Sequence, residues 1–464
     1  MLFQTLPFFI FFTLVYGGYL LIKGTRLRLP WLLASSYVFY AWLSPLYLIP
    51  LAYATVVDYF VAGRIEKSTR KRAWLAVSIV NDLAVLGFFK YAGFVAENLN
   101  HVMSWLRVPY AIPAPSFLLP AGLSFFLLQS IGYTIDVYRG TTKREKSFLA
   151  YATFVSFFPR LLMGPIERAG NLLPQLHDEG RMTLRDFTDG LSVFVVGYFK
   201  KVALADYLAI YVAQVYGPLG QSGTPAQFQS PALLLATFLY AWQIYFDFSG
   251  YTDMARGIAR MMGIRLMLNF SNPYLAVSMG DFWRRWHVSL SSWFRDYVYI
   301  PLGGNRKGKF ATYRNLFLTM VLSGIWHNPG WTFVLWGSIH AIGNMGTREL
   351  ERTPFYVRRL PQIVKQLFVF ALVTFAWIFF RAASIGDAWT IVARIFTSGL
   401  ADPKCPLLAI GLIAAVWCYQ HLFESRLRSV LELWPVRVGL MFLLLAYMLL
   451  TVPAEGQPFI YMQF

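Results

Sequence analysis

Charged residues are scarce in this sequence of 464 amino acids, since Asp, Glu, Lys and Arg together make up only 14%. Soluble domains carry about 25% charged residues, and this deficit excludes an ordinary water-soluble globular protein. Hydrophobic residues account for 57% of the chain, and many of them form runs that approach or exceed a bilayer-spanning helix of about 20 residues. We therefore predict an all-α polytopic membrane protein. The apolar runs cover residues 5–22, 30–62, 74–95, 188–215, 231–248, 315–345, 363–380, 406–419 and 438–452.

Cysteine and the motifs of covalent catalysis are also scarce. The only two cysteines, Cys405 and Cys418, lie near the C-terminal apolar runs, so no disulfide framework is expected. The Gly-x-Ser-x-Gly spacing of a serine nucleophile elbow does not occur. The three histidines between residues 287 and 340 lack the i, i+4 spacing and the neighbouring carboxylates or thiolates of a metal site. These absences argue against a metal centre, and they favour assistance by a histidine base over a covalent intermediate on a serine or cysteine.

Acidic residues are outnumbered by basic ones, 23 to 41, which leaves a net charge of +18. The basic residues are spread over short loops between the apolar runs, which is the positive-inside pattern and not a nucleic-acid-binding face. We expect a multi-pass protein of the cytoplasmic membrane that contacts membrane lipids and no nucleic acid. If every basic cluster faces the cytoplasm, both termini lie on the opposite side. The first apolar run is interpreted as a retained span because no cleavage site follows it.

The chain is expected to be one integrated membrane domain, residues 1–464, with three zones. Residues 1–115 and 346–464 contain regular spans, whereas residues 116–345 contain prolines and glycines inside apolar stretches. Irregular backbone at membrane depth is tolerated only inside protein or beside a water-filled cavity. The middle zone is therefore predicted to be a catalytic core with re-entrant segments.

His327 ends an apolar run that begins after a basic cluster. From Arg314 to His327 is 13 residues, or roughly 20 Å of helix, which places the imidazole deep in a hydrocarbon layer about 30 Å thick. An ionisable group at that depth indicates a functional site, and histidine suits acid–base chemistry near neutral pH. Asn328-Pro329-Gly330 predicts a turn and a helical hairpin. His340 then lies about 13 Å back along the second arm, where a purely structural role is favoured; that role stays open for His327 too.

A second candidate, His287, follows tryptophans and arginines in the segment 281–287 and precedes a hydroxyl-rich turn. Residues 249–315 carry ten basic and three acidic side chains, an excess of seven that suits anionic headgroups, a phosphate-bearing donor or an acidic protein. The tryptophans and arginines also fit an interfacial amphipathic helix. Asp247 either orients a basic partner or forms a structural ion pair.

Several segments, taken in order, resemble the membrane-bound O-acyltransferase family, and within it the bacterial branch that includes the alginate O-acetyltransferase membrane subunit. They are residues 119–126, 136–140, 158–166, 198–201, 246–251, 281–287, 299–306 and 324–327. The resemblance implies a ring of about 11–13 transmembrane and re-entrant helices around a central funnel or tunnel. It also implies that His327 is the catalytic histidine and His287 the second active-site histidine.

The same resemblance implies acetyl-CoA as donor, no tightly bound cofactor, a periplasmic SGNH-hydrolase-like acetyltransferase as partner, and a polysaccharide such as alginate as acceptor in a bacterial inner membrane. Family members usually have glycine after the catalytic histidine, whereas this chain has Asn328. We expect other residues of these segments to bind substrate or support the site. They are Trp283, Arg284, Arg285, Trp286, Arg295, Asp247, Asn305, Arg306, Trp326, Asn328 and His340.

Three alternatives remain open at this point. In the first, the acyl group is D-alanine, passed from an acyl carrier protein to teichoic acid, since an acidic carrier suits the same basic surface. Lipid acylation is a further branch of the same chemistry. A transporter or flippase with a histidine proton relay would show inverted repeats and paired broken helices, and none is visible in the sequence.

Overall fold

The computed structural model describes residues 1–113, 119–178, 182–217, 227–451 and 459–460, and within these ranges the chain contains helices and no strands. The all-α prediction is confirmed. The helices are α1 (Leu6–Ile22), α2 (Arg28–Ala41), α3 (Leu48–Lys67), α4 (Lys71–Leu86), α5 (Ala92–Trp105), α6 (Leu123–Arg139), α7 (Phe148–Ser156), α8 (Phe158–Leu161), α9 (Ala169–His177), α10 (Leu184–Phe199), α11 (Asp206–Tyr216), α12 (Ser230–Met261), α13 (Met279–Arg285), α14 (Val288–Phe294), α15 (Gly308–His327), α16 (Trp331–Leu350), α17 (Gln362–Arg381), α18 (Ile385–Thr397), α19 (Leu407–Glu424), α20 (Arg428–Leu431) and α21 (Trp434–Thr451).

Four helical stretches in the described ranges are long and apolar enough to cross a membrane. They are Pro45–Lys67, which is a short 3₁₀ turn continued by α3, Lys71–Trp105, which joins α4 to α5 through a π-helical turn, and the helices α17 and α19. Two shorter apolar helices, Leu6–Ile22 and Trp434–Leu450, accompany them. The protein is therefore a multi-pass membrane protein, as the apolar runs predicted.

The chain divides into two compact units. The N-terminal unit contains Met1–Leu191 and Ala255–Met267, and the C-terminal unit contains Ser192–Met254 and Leu268–Phe464. In the N-terminal unit, α3 packs against α4 and α6. The three helices share a buried polar cluster in which the Ser78 hydroxyl donates to Asp58 at 2.7 Å. The expectation of a single integrated domain stays a prediction.

In the C-terminal unit, α15 and α16 form an antiparallel pair joined by Asn328, Pro329 and Gly330. The predicted helical hairpin is confirmed, and His327 is the last residue of its first arm. Helix α17 packs along the second arm. The short helices α13 and α14 are separated by a break at Trp286 and His287, so this predicted irregular segment supplies a kinked backbone beside the hairpin.

Candidate active site

His327 is buried at the C-terminal end of α15, with only 6% of its surface exposed. Its Nδ1 lies 2.7 Å from the backbone carbonyl oxygen of Ser323, one helical turn earlier. A carbonyl oxygen can only accept, so Nδ1 carries the hydrogen. In the neutral ring the lone pair is then on Nε2, and the helix holds the imidazole in the tautomer that a general base requires.

His287 is fully buried in the break between α13 and α14, and its backbone φ of 43° is in the left-handed region. Non-glycine residues seldom adopt this conformation, and it persists only where surrounding contacts impose it. Here the Val288 N–H donates to the backbone carbonyl of Asn269 at 2.9 Å. The His287 Nδ1–H donates to the Asn269 side-chain oxygen at 3.1 Å. The contacts therefore fix both the backbone and the ring tautomer of His287.

The two imidazoles lie near each other in the C-terminal unit, with ring centroids 6.5 Å apart and planes inclined by 79°. Aromatic side chains surround them. Trp326 and Trp336 each lie 5.0 Å from the His327 ring, and Phe248 lies 4.7 Å from the His287 ring. The enclosure limits the access of water to both imidazoles and strengthens a hydrogen bond that either ring makes with a bound group.

Two glycines bring the arms of the hairpin together. A Cβ at Gly324 would overlap the backbone carbonyl of Phe333, and a Cβ at Gly337 would lie 2.5 Å from the carbonyl oxygen of Met320. Small residues at helix contacts of membrane proteins permit such close backbone approach. This approach sets the ring of Trp336 against His327. Sequence reasoning noticed Gly324 only as part of a family-like motif and did not identify its packing role.

His340 lies on α16, with its ring 4.6 Å from Trp336 and 5.1 Å from Trp283. It is fully buried, and neither ring nitrogen has a hydrogen-bond partner in the described part of the chain. The Trp336 ring also lies 5.0 Å from the His327 ring, so one tryptophan contacts both histidines. The separation of His340 from His327 by about 13 Å along the hairpin stays a prediction.

Asp247 forms a buried ion pair. Its carboxylate accepts from the Lys201 ammonium at 2.8 Å and from the Ile460 backbone N–H at 2.8 Å. Lys201 also pairs with Asp206 at 2.8 Å. The next residue along α12, Phe248, packs on His287. The structure therefore shows the ion pair that the sequence left open for Asp247, and the role of orienting a basic partner stays a prediction.

Most of the predicted basic surface is paired with acids. Arg284 and Arg285 pair with Asp281, and Arg285 also reaches Glu424 at 2.6 Å. Exposed Arg295 pairs with the adjacent Asp296. Lys309 donates to Glu349 and, with Arg352, holds the pKa of that carboxyl below its ordinary value. Arg260 and Arg265, which belong to the N-terminal unit, both pair with Asp186.

Within the loop before α15, Arg306 and Lys307 are exposed, and neither has a carboxylate within 4 Å in the described ranges. Asn305 is also exposed on this loop. Trp286 is buried, stacks on Phe282 and contacts Phe270 and Trp377 at steeper angles, so its role is packing. Asn328 caps α15 by donating its N–H to the Gly324 carbonyl at 3.3 Å. The predicted residues therefore fall into an inner group around the histidines and an outer group of exposed or half-buried polar residues.

The sequence model of the membrane-bound O-acyltransferase family (MBOAT) matches residues 143–385, just over half of the chain. The chain is also similar to the "probable alginate O-acetylase AlgI" of Azotobacter vinelandii. The two are 40% identical over 406 residues, which cover 86% of this chain and 79% of that protein. The chain belongs to the membrane-bound O-acyltransferase family. It is an acyltransferase, and the recognised family is confirmed.

Two further relatives of this O-acyltransferase differ in their named activities. The peptidoglycan O-acetyltransferase of Helicobacter pylori is 36% identical over 428 residues, covering 84% of this chain and 79% of that protein. The teichoic acid D-alanyltransferase of Bacillus subtilis is 28% identical over 258 residues, covering 53% of this chain and 63% of that protein. The higher identity and coverage therefore lie with relatives named for O-acetylation.

The residues that sequence reasoning missed are those that orient the histidines of this O-acyltransferase. Ser323 could have been found, because the carbonyl four residues before a helical histidine is its natural local acceptor. Asn269 could not, because it precedes His287 by 18 residues on an irregular segment. In the described part of the chain, no group of three or more histidine, cysteine, aspartate or glutamate residues is arranged to hold a metal ion.

Proposed function

We propose that this membrane-bound O-acyltransferase moves acetyl groups from cytoplasmic acetyl-CoA toward the O-acetylation of an exported polysaccharide such as alginate. The proposal includes a bacterial inner-membrane location with both termini periplasmic, and a periplasmic SGNH-hydrolase-like acetyltransferase as partner. It also includes a helical ring around a funnel or tunnel in which donor and acceptor meet. The observation that carries the chemistry is the enclosed pair of histidines, His287 and His327, each with its Nδ1–H already committed to an oxygen.

The acetylated polymer is supported by the relatives. Those named for alginate and for peptidoglycan have polymers with sugar hydroxyls as their named targets, and each matches more than four fifths of this chain. A hydroxyl is a poor nucleophile until a base removes its proton. These relatives thus share a hydroxyl acceptor, and a neutral histidine base assists the attack of a hydroxyl by removing its proton.

In the proposed reaction, Nε2 of His327 accepts the proton of the acceptor hydroxyl as its oxygen attacks the thioester carbonyl carbon. A carbon–oxygen bond forms, the carbon–sulfur bond breaks, and the proton passes from His327 to the departing thiolate, which leaves as the thiol of CoA. His287 orients the donor or the acceptor from the other side of the site. A ring separation of 6.5 Å allows one small polar group to contact both imidazoles.

The donor's phosphates are assigned to the exposed basic loop before α15. Arg306 and Lys307 are the residues of the predicted basic surface best placed to bind an anion, since most of the others are occupied by acids. This loop leads directly into the helix that ends at His327. The positive-inside pattern puts the loop on the cytoplasmic side, where acetyl-CoA is available.

The test uses the full chain in vesicles supplied with acetyl-CoA labelled in the acetyl group and with the polysaccharide acceptor and periplasmic partner. The unaltered protein is expected to release CoA in step with acetylation of the acceptor. The His327→Ala variant is expected to lose about 10²- to 10⁴-fold in rate, the usual contribution of a general base. His101→Ala is the matched control, because His101 is exposed on α5 in the N-terminal unit.

Three outcomes would count against the proposal. Undiminished acetylation by a folded His327→Ala variant would remove the catalytic assignment. Turnover with a D-alanyl carrier protein and none with acetyl-CoA would replace the acetyl group by D-alanine. Movement of substrate across the vesicle without release of CoA would indicate a transporter.

A further inference from the structure

A pocket of about 550 Å³ opens in the N-terminal unit at the turn between α3 and α4. Three basic side chains line it, Arg64, Lys67 and Arg144, and no acidic residue is among its lining residues. The pocket lies outside the histidine site and outside the basic loop assigned to the donor. Its concentration of positive charge indicates an anionic ligand.

Two of the three cations of this pocket lie over aromatic rings. The Arg64 guanidinium lies over Phe60 at 4.8 Å and over Trp74 at 5.8 Å, and that of Arg144 lies over Tyr59 at 5.5 Å. Cation–π contacts orient a guanidinium without neutralising its charge. The two rings thus fix the position of the Arg64 guanidinium. Its charge is not compensated, because no carboxylate lies within 4 Å of it in the described part of the chain.

Gly63 makes room for the guanidinium of Arg144. A Cβ at this position would lie 3.0 Å from the Cζ and from one terminal nitrogen of Arg144, so a larger residue would push the guanidinium off α3. One terminal nitrogen of Arg144 contacts Glu66 at 3.4 Å, and the other packs over Gly63. The guanidinium therefore has a fixed position at the edge of the pocket.

The position of the pocket identifies the kind of anion. It lies where two membrane-crossing stretches, Pro45–Lys67 and Lys71–Trp105, meet at a short turn, which is the level of the lipid headgroups. Along the same two helices, Val56, Val77 and Val80 are exposed and offer an apolar surface below the cations. An anion with hydrocarbon chains matches both parts at once.

We propose that this pocket binds the headgroup of an anionic phospholipid of the cytoplasmic leaflet, with its acyl chains along α3 and α4. Anionic lipids are attracted to clusters of Lys and Arg at the cytoplasmic ends of spans. A headgroup phosphate accepts from Arg64, Lys67 and the terminal N–H groups of Arg144. The lipid links the α3–α4 turn to the segment before α7, which carries Arg144.

Native mass spectrometry of the purified full chain tests the proposal, with phosphatidylglycerol as the probe and phosphatidylethanolamine of the same chain length as the neutral comparison. The Arg64→Gln/Arg144→Gln variant is expected to bind phosphatidylglycerol about 10-fold more weakly, because each basic side chain near a headgroup contributes attraction. Arg70→Gln/Lys71→Gln is the matched control. It removes the same charge from the same turn at exposed residues that do not line the pocket, and it is expected to retain binding.

Two further measurements separate a built site from general attraction. Gly63→Leu changes no charge but crowds Arg144, and it is expected to weaken binding of the same lipid. Lys67→Gln, at an exposed helix end, gives a milder variant if the double variant does not fold. The proposal would be overturned if the control pair lost as much binding as Arg64→Gln/Arg144→Gln, or if Gly63→Leu bound the lipid fully. Complete displacement of the lipid by inorganic phosphate would also overturn it, because the pocket would then be a site for a soluble anion.

Discussion

The side-chain oxygen of Asn269 lies 3.1 Å from Nδ1 of His287, and the same oxygen accepts the hydroxyl of Ser289 at 3.0 Å. One amide thus orients the buried imidazole and ties it to the start of α14. Asn269→Ala is expected to reduce kcat for acyl transfer by up to about 100-fold, because a small misplacement of an active-site group has effects of that size. KM for the donor is expected to change little.

Ser289→Ala provides the comparison for this prediction. It removes one donor to Asn269 but leaves the bond between Asn269 and His287, so its loss in kcat is expected to be clearly smaller. Steady-state kinetics of both variants in the same vesicles decide the point. Equal losses in the two variants would show that the whole turn, and not the histidine's orientation, determines the rate.

The close crossing of α15 and α16 predicts a strong effect of Gly324→Ala. The added methyl group would overlap the Phe333 carbonyl and move Trp336 away from His327. We expect destabilisation of about 1–3 kcal/mol, typical of overpacking, together with a lower kcat. Gly346→Ala on α16 is the control, since no atom lies within 4 Å of the added Cβ. Thermal unfolding in detergent gives the stabilities. A Gly324→Ala variant as stable as the unaltered protein would contradict the packing argument.

The buried ion pair behind the site predicts that Lys201→Met destabilises the protein by about 3–5 kcal/mol, because it leaves buried carboxylates without their cation. Asp247 and Asp206 are the carboxylates concerned. Lys200→Met is the matched change on the adjacent residue, whose pair with Asp253 is more exposed. It is expected to have a much smaller effect on thermal unfolding. Similar losses from both variants would refute a special role for the buried lysine.

Removing the positive charges of the exposed loop before α15 is expected to weaken binding of the proposed donor and to change the catalytic rate little. Arg306→Gln/Lys307→Gln is expected to raise KM for acetyl-CoA several-fold at low salt and to leave kcat nearly unchanged. The difference from the unaltered protein is expected to shrink at high ionic strength, because salt screens exposed charges. Arg358→Gln/Arg359→Gln removes an equal charge at another exposed basic segment. If the two pairs of substitutions raised KM equally, the phosphates would not be bound by the α15 loop in particular.

Replacement of His340 is expected to have little effect on the rate of acyl transfer, unlike replacement of a catalytic residue. Since its ring nitrogens lack hydrogen-bond partners in the described part of the chain, an apolar ring of similar shape can replace it at little cost in stability. His340→Phe is expected to keep acetylation within about threefold of the unaltered rate and to preserve thermal stability. A loss comparable to that of His327→Ala would assign His340 a direct part in the chemistry.

The hairpin and its terminal histidine could be predicted from the sequence because their signals are local. An apolar run of helical length is followed directly by Asn-Pro-Gly, which ends a helix. The bond between His287 and Asn269 could not be predicted, since it depends on how an irregular segment folds back. The pairing of Arg285 with Glu424, 139 residues away, is likewise set by tertiary packing. Among the arginines expected to bind a donor phosphate, Arg285 is held by this long-range pair, whereas Arg284 and Arg295 pair with carboxylates at most three residues away.

His327 is the last residue of α15, a helix of 20 residues. The carbonyl dipoles of a helix add up to a partial negative charge at its C-terminal end, where a histidine cation is stabilised by up to about 2 kcal/mol in partly buried sites. In the proposed reaction, the proton that His327 accepts creates a positive charge at the one end of the helix that favours it. The helix that positions the proposed base thus also stabilises its imidazolium, at a buried position where little water is available to do so.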